Sequence, residues 1–206
     1  MSEVKLIPKN LDKTFLNLIE PLAQFLISNK VHPHFITALG FTVSIVAAVL
    51  LSEGQFLLGG IMIILAGVSD ILDGRLARET GRISKYGALI DSTIDRYSEV
   101  VIFLGIAGFF KSVGAFTLII LAITGSFMVS YTRARAEGLG IECKVGIMQR
   151  PERMTFLVLG AILGAVPHTD HFLMILALWF IAVLGNYTVI QRIVYIRNQL
   201  KTSDIQ

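Results

Sequence analysis

The sequence predicts an all-α, polytopic integral membrane protein, with six transmembrane helices preceded by an N-terminal amphipathic interfacial helix. Three observations carry this. The 206 residues are 54% hydrophobic and 16% charged, against roughly 45–50% and about 25% in ordinary soluble domains. Three stretches free of Asp, Glu, Lys and Arg, 31–52, 112–132 and 171–191, exceed the roughly 18 residues that a span needs. Three shorter windows, 54–69, 100–110 and 154–169, each abut a charged segment that continues the same helix. This composition excludes a disordered chain. A single cysteine, Cys143, excludes a disulfide scaffold.

The elements follow in order. Phe15, Leu18, Ile19, Leu22, Phe25 and Leu26 recur at helical spacing while Lys13, Asn17, Glu20 and Gln24 point elsewhere. That pattern predicts a helix lying on the inner leaflet within residues 1–30. Pro21 either divides it or starts a second helix. No cleavable signal peptide is expected, because Glu3 lies at the start and no A-x-A site follows a short apolar core. The first span is 31–52. The second is 54–69, running on into Asp70 and Asp73. The third carries its charges first, from Asp91 to Glu99. The fourth is 112–132. The fifth opens at Arg150, with Pro151 suited to a first turn. The sixth is 171–191. Residues 31–200 form one six-helix membrane domain, and 201–206 are a tail. Starting from the inside, seventeen of the eighteen basic residues fall on the inner face and only Lys111 outside, a strong positive-inside signal. Both termini are then cytoplasmic. The net charge of +3 belongs to a membrane surface rather than to nucleic acid.

The second span ends in a polar face. Asp70, Asp73, Gly74 and Ala77 stand at i, i+3, i+4 and i+7. In the third, Gly87, Asp91 and Asp95 stand at i, i+4 and i+8. A short link around 80–84 predicts that these two helices are antiparallel neighbours whose four carboxylates meet. One such Asp is as readily a solvated helix end or an ion pair with an Arg; four together are not. Convergent carboxylates cannot all ionise unaided. Oxygen ligands select hard cations such as Mg²⁺, Ca²⁺ or Mn²⁺. Two such ions side by side clamp a phosphoryl group. Arg78 adds charge for phosphate oxygens. In the second half, Arg133 and Arg135, Arg150 and Arg153, and Arg192 offer guanidiniums from three helices at one depth. They suit either a bound phosphate or anionic headgroups. Cys143, in the inner loop between the fourth and fifth spans, reads as a surface residue.

The pattern Asp70-x2-Asp73-Gly74-x2-Ala77-Arg78-x8-Gly87-x3-Asp91-x3-Asp95 resembles the signature of the CDP-alcohol phosphotransferases (phosphatidyltransferases). The resemblance implies transfer of a diradylglycerol-phosphate group from a CDP-linked lipid, CDP-diacylglycerol or an ether analogue, to an alcohol, with release of CMP. It implies that Asp70, Asp73 and Asp91 bind metal, as two ions of Mg²⁺ or Mn²⁺. Asp95 is then both a ligand and the general base. Asp73, Gly74, Ala77, Arg78 and Gly87 border the nucleotide. Pro33-His34-Phe35-Ile36-Thr37 is similar to the family's P-N-x-x-T entry to the first span, which places Pro33 and Thr37 beside the CDP group; His34 replaces the usual Asn. Ser130-Tyr131-x-Arg133-Ala134-Arg135-Ala136-Glu137, the 146–153 stretch and Gln191-Arg192 resemble the phosphatidylinositol phosphate synthases of bacteria and their archaetidyl counterparts. There the matching positions, Arg133, Arg153 and Arg192 with Ser130 and Arg150, bind the acceptor phosphate; those relatives often have Lys at position 133. The implied acceptor is inositol 1-phosphate, with glycerol 3-phosphate as the alternative. The implied setting is a homodimer in a prokaryotic plasma membrane, its active site on the cytoplasmic side. A cation transporter also lines its path with carboxylates. It needs access from both faces and often has inverted repeats, whereas here the polar residues gather on the inner side and no repeat is found.

Overall fold

The computed structural model describes residues 9–166 and 171–203, with side chains at 18–166 and 171–201. The expectations for Lys5, for the outer link at His168 and for residues 204–206 lie outside the described residues. Among the described residues the chain is all-helical: α1 (Lys9–Ser28), α2 (Pro33–Ser52), α3 (Phe56–Glu79), α4 (Lys85–Phe109), α5 (Val113–Glu137), α6 (Arg150–Gly164) and α7 (Phe172–Ser203). They form two compact groups, α1–α4 and α5–α7.

Four helices, α2, α3, α5 and α7, are long and apolar enough to cross a membrane. Each exposes large apolar residues: Leu39, Val46 and Val49 on α2, Leu57, Ile61 and Leu65 on α3, Phe116 and Ile120 on α5, Trp179, Val183 and Ile190 on α7. Such stripes are hazards in water and are solvated in hydrocarbon. α4 and α6 coincide with the two remaining expected spans but do not meet the same measure. α4 carries Asp91, Asp95, Arg96 and Glu99, and α6 has 15 residues beginning with Arg150, Pro151, Glu152 and Arg153.

In the α1–α4 group α3 and α4 meet at their polar ends, as the short link predicts, with Asp70 of α3 within 4.8 Å of Asp91 and Asp95 of α4. Their extensive packing is on α2 rather than on each other. The reason is the buried small-residue face of α2, with Gly40, Ser44, Ala47 and Ala48. A Cβ on Gly40 would lie 2.9 Å from Cβ of Ser69 on α3, and one on Gly105 of α4 would lie 2.5 Å from Cα of Ala48. Small residues let membrane helices approach to backbone contact, so α2 can carry a helix on each side.

α1 passes through Pro21 without a break. It sets Ile19 and Ala23 against Ile36 of α2 and Leu72 and Leu76 of α3. Arg75 of α3 clamps it: Nη1 lies 2.5 Å from Glu20 Oε2, Nη2 donates to Glu20 Oε1 at 2.9 Å, and Nε donates to Glu79 at 2.6 Å. Gln24 also donates to Glu20 Oε1, at 2.9 Å.

In the α5–α7 group, α7 packs along both α5 and α6. Asn186 Nδ2 bridges back to the Leu121 carbonyl at 3.1 Å. Cys143, expected at the surface, is buried with Ala136 and Val145 against Ile141, Tyr195 and Ile196. The cause is local. Residues 141–146 are non-helical, and alternation along an extended segment turns Ile141, Cys143 and Val145 to one side. Glu142 and Lys144, on the other side, form an exposed ion pair.

The clamp on α1 makes its docking pH-dependent. The Arg75 guanidinium and the Gln24 amide hold the Glu20 carboxyl below its ordinary value of 4.5. A depressed carboxyl stabilises the packed state above its unfolded pKa and loses that contribution as pH falls through the folded one. Fluorescence quenching between labels on α1 and α3 should therefore report loosening below about pH 4.5, and Glu20→Gln should flatten that dependence.

Candidate active site

The carboxylates are brought together by a tight reversal between α3 and α4. Gly81, at φ 67°, ends α3. The Arg82 N–H donates to the Ala77 carbonyl at 2.9 Å and the Gly81 N–H to the Arg78 carbonyl at 3.4 Å, the paired bonds of a glycine-terminated helix. Ser84 caps α4, accepting from the Gly87 N–H at 2.9 Å. At about 1.5 Å per residue, Asp73 and Asp91 lie at matching depths on either side of the reversal, and Asp70 and Asp95 about one turn further in.

Asp70, Asp91 and Asp95 each offer one carboxylate oxygen, all within 4.8 Å of one another. Asp73 is not one of that trio but lies within electrostatic reach of Asp91 and Asp70. It is 4% exposed, and its Oδ2 is buried without a hydrogen-bond partner. Two unit charges at such a separation repel by roughly 3–4 kcal/mol at an effective dielectric of about 20. The trio therefore gains from a cation. Its oxygen-only donors suit Mg²⁺ or Mn²⁺ and not the nitrogen and sulfur preference of Zn²⁺. The orphaned oxygen of Asp73 is a further acceptor for such a group.

A cavity of about 450 Å³ opens beside these residues, between the start of α2, the end of α3 and the start of α4. Pro33, Thr37, Asp73, Gly74, Ala77, Arg78 and Gly87 all line it, as does Asp91. The small residues keep its wall low: a Cβ on Gly74 would stand 3.5 Å from Arg78 Nη1, and one on Gly87 would stand 3.0 Å from Ser84 Oγ. The lining also includes His32, His34, Arg82, Ser84 and Ala88. Of these, only His34 stood out in the sequence. His32 and Ser84 have a local signal, since both are the residues that cap α2 and α4. The His32 and His34 rings lie 5.0 Å apart between centroids, and the His34 N–H donates to His32 Nδ1 at 3.3 Å.

The arginines of the α5–α7 group differ from one another. Arg133 is exposed and bonds Glu137 at 3.0 Å. Arg153 and Arg192 are only 1% and 2% exposed. Arg192 donates through Nε to the Val145 carbonyl at 2.9 Å and through Nη1 to the Val129 carbonyl. Arg153 Nη1 donates to the Met148 carbonyl at 3.4 Å. Both Arg133 and Arg153 lie within electrostatic reach of Arg192. Ser130 and Arg150 are half-buried. Charge serving only lipid headgroups sits in the open; two buried guanidiniums do not fit that reading.

The family model for CDP-alcohol phosphatidyltransferases matches residues 30–189. The archaetidylinositol phosphate synthase of Methanothermobacter thermautotrophicus is 39% identical over 170 residues, covering 81% of this chain and 84% of that protein. The phosphatidylinositol phosphate synthase of Streptomyces avermitilis is 37% identical over 202 residues, covering 92% and 82%. The phosphatidylinositol phosphate synthase of Mycobacterium tuberculosis, solved with CDP-DAG bound, superimposes with a TM-score of 0.76 at 29% identity over 85% of this chain and 92% of that one. The same enzyme has been solved with manganese and citrate, with a TM-score of 0.77 at 28% identity over 85% and 87%. This chain belongs to the CDP-alcohol phosphatidyltransferase family and is a transferase.

The carboxylate geometry makes a direct prediction. Losing a residue that only supports a metal ligand costs roughly 10–100-fold in affinity. Asp91→Asn, which removes a charged donor itself, should weaken Mn²⁺ binding by at least about tenfold. Titration of the purified protein by calorimetry measures this, and unchanged affinity would remove Asp91 from the donor set.

Proposed function

We propose that this chain transfers the diradylglycerol-phosphate group of CDP-diacylglycerol, or of an ether analogue, to inositol 1-phosphate, yielding a phosphatidylinositol phosphate-type lipid and CMP. The observation that carries the reading is the single cavity in which Asp73 and Asp91 stand with Gly74, Ala77, Gly87 and Arg78. It offers acidic oxygens for a cation, a guanidinium for phosphate oxygens and low walls for a nucleotide. The inositol acceptor is supported by the names of the relatives and by the buried Arg153 and Arg192.

In this reading Asp95 accepts the proton of the attacking inositol hydroxyl. The hydroxyl oxygen bonds to the lipid-side phosphorus, the bond from that phosphorus to the bridging oxygen breaks, and CMP leaves with the electron pair. Arg78 grips pyrophosphate oxygens, and Pro33 and Thr37 border the nucleotide. Two divalent ions, Mg²⁺ or Mn²⁺, held by Asp70, Asp73, Asp91 and Asp95 would supply charge neutralisation at the pyrophosphate. Arg133, Arg153 and Arg192, with Ser130 and Arg150, hold the acceptor phosphate. The same reading takes α2–α7 as six spans of one domain over 31–200, with α1 at the inner interface. It takes both termini as cytoplasmic and the chain as a homodimer.

Two outcomes follow. Given CDP-diacylglycerol, Mg²⁺ and one acceptor at a time, the protein should release CMP fastest with inositol 1-phosphate; equal or faster release with glycerol 3-phosphate would sink the inositol assignment. Asp95→Asn should lower turnover by roughly 10²–10⁴-fold while CDP-lipid binding persists, and full activity in that variant would exclude Asp95 as the base.

A further inference from the structure

We propose that Thr188 is a positioning residue for acceptor binding, acting by fixing the segment that leads into α6; this rests on the reading of Arg153 and Arg192 as the acceptor-phosphate grip. Thr188 lies on α7 one turn before Arg192 and is 0% exposed. Its hydroxyl is used in both directions. Oγ1 donates to the Leu184 carbonyl at 2.8 Å and accepts from the Met148 N–H at 3.0 Å. The second of these bonds joins residues 40 positions apart, so it ties two distant segments rather than trimming one helix.

Three further contacts secure the same segment. Arg192 Nε donates to the Val145 carbonyl at 2.9 Å, and Arg153 Nη1 donates to the Met148 carbonyl at 3.4 Å. Gly146 lies between them at φ 129°, a conformation that L side chains rarely adopt. A Cβ there would overlap Cγ2 of Thr188. The segment is therefore pressed flat on one face of α7, where Thr188 and Arg192 stand a turn apart.

The consequence for binding is geometric. Gln149 follows Met148 directly and is the N-cap of α6, with no side-chain cap of its own. The entry of α6, and with it Arg150 and Arg153, is placed by this clamp. Bidentate recognition of a phosphate tolerates little displacement of the guanidiniums. Removing the Thr188 hydroxyl leaves the buried Met148 N–H without an acceptor, which the segment relieves by moving. A phosphorylated alcohol is then bound less well, while the CDP-lipid, whose proposed contacts lie on α2–α4, is not affected.

The test compares Thr188→Val, nearly isosteric but without the hydroxyl, with Thr188→Ser. For each purified variant, the KM for inositol 1-phosphate, the affinity for CDP-diacylglycerol and hydrogen exchange at the Met148 amide are measured. Thr188→Val should raise the acceptor KM about tenfold, speed Met148 exchange and leave CDP-lipid affinity unchanged. Thr188→Ser should restore both altered values. Gly146→Ala, which forces the segment away from Thr188, should give the same pattern and serves if Thr188→Val does not fold. Unchanged acceptor KM, or a matching loss of CDP-lipid affinity, overturns the proposal. A wild-type protein that uses no phosphorylated acceptor sinks the phosphate-grip reading as well. Fast Met148 exchange with unchanged KM, in a protein that does use one, overturns the positioning role alone.

Discussion

Mutual repulsion of carboxylates is the interaction on which the α1–α4 group turns. Asp70, Asp91 and Asp95 present oxygens within 4.8 Å of one another, and Asp73 adds a buried acceptor close by. Nothing in an apolar helix favours that arrangement by itself. It has to be imposed by the surrounding frame. The frame is the glycine-ended reversal at 80–84, the Ser84 cap and the packing of α3 and α4 on a common partner. Each element holds one helix against the repulsion, and together they keep a charge-dense site in place for a ligand of opposite sign.

The common partner is α2, and its suitability comes from what it lacks. Gly40, Ser44, Ala47 and Ala48 present almost no side chain, so α3 and α4 reach its backbone. Because both helices close on α2 rather than on each other, their polar ends leave a cavity instead of a packed seam. The cavity is thus a product of the packing, not an insertion into it. α1 secures α3 from another direction, through Arg75 and Glu20, two residues beyond Asp73 in sequence.

Much of this was legible in the sequence, for identifiable reasons. A helical period places Asp70, Asp73, Gly74 and Ala77 on one face whatever the tertiary structure, so the site residues could be grouped before any fold was known. All seven positions expected beside the nucleotide line one cavity. The helix-to-helix arrangement was less visible. A short link suggests adjacency, and only the small-residue stripe of α2 hints that a third helix takes both faces. Cys143 was misread because an inner loop was assumed to be solvated; its alternation with Glu142 and Lys144 carried the correct signal. The two cavity histidines escaped a firm reading because a capping residue and a cavity-lining one look alike in sequence.

The arginines show the complementary problem. Burying a guanidinium is costly unless its donors are met. For Arg192 they are met by the carbonyls of Val145 and Val129. Carbonyl dipoles satisfy N–H groups and fix their direction, but they do not cancel a unit of charge. A structural strut needing only hydrogen bonds is served equally by a neutral amide such as Gln. Arg133 and Arg153 lie in electrostatic reach of Arg192 and add to its positive charge, while the Glu137 carboxylate opposes it. In the proposed reading the acceptor phosphate balances the basic set on α5–α7 as a cation balances the acidic cluster on α3 and α4, so each charged group of the fold is matched to a ligand of the opposite sign.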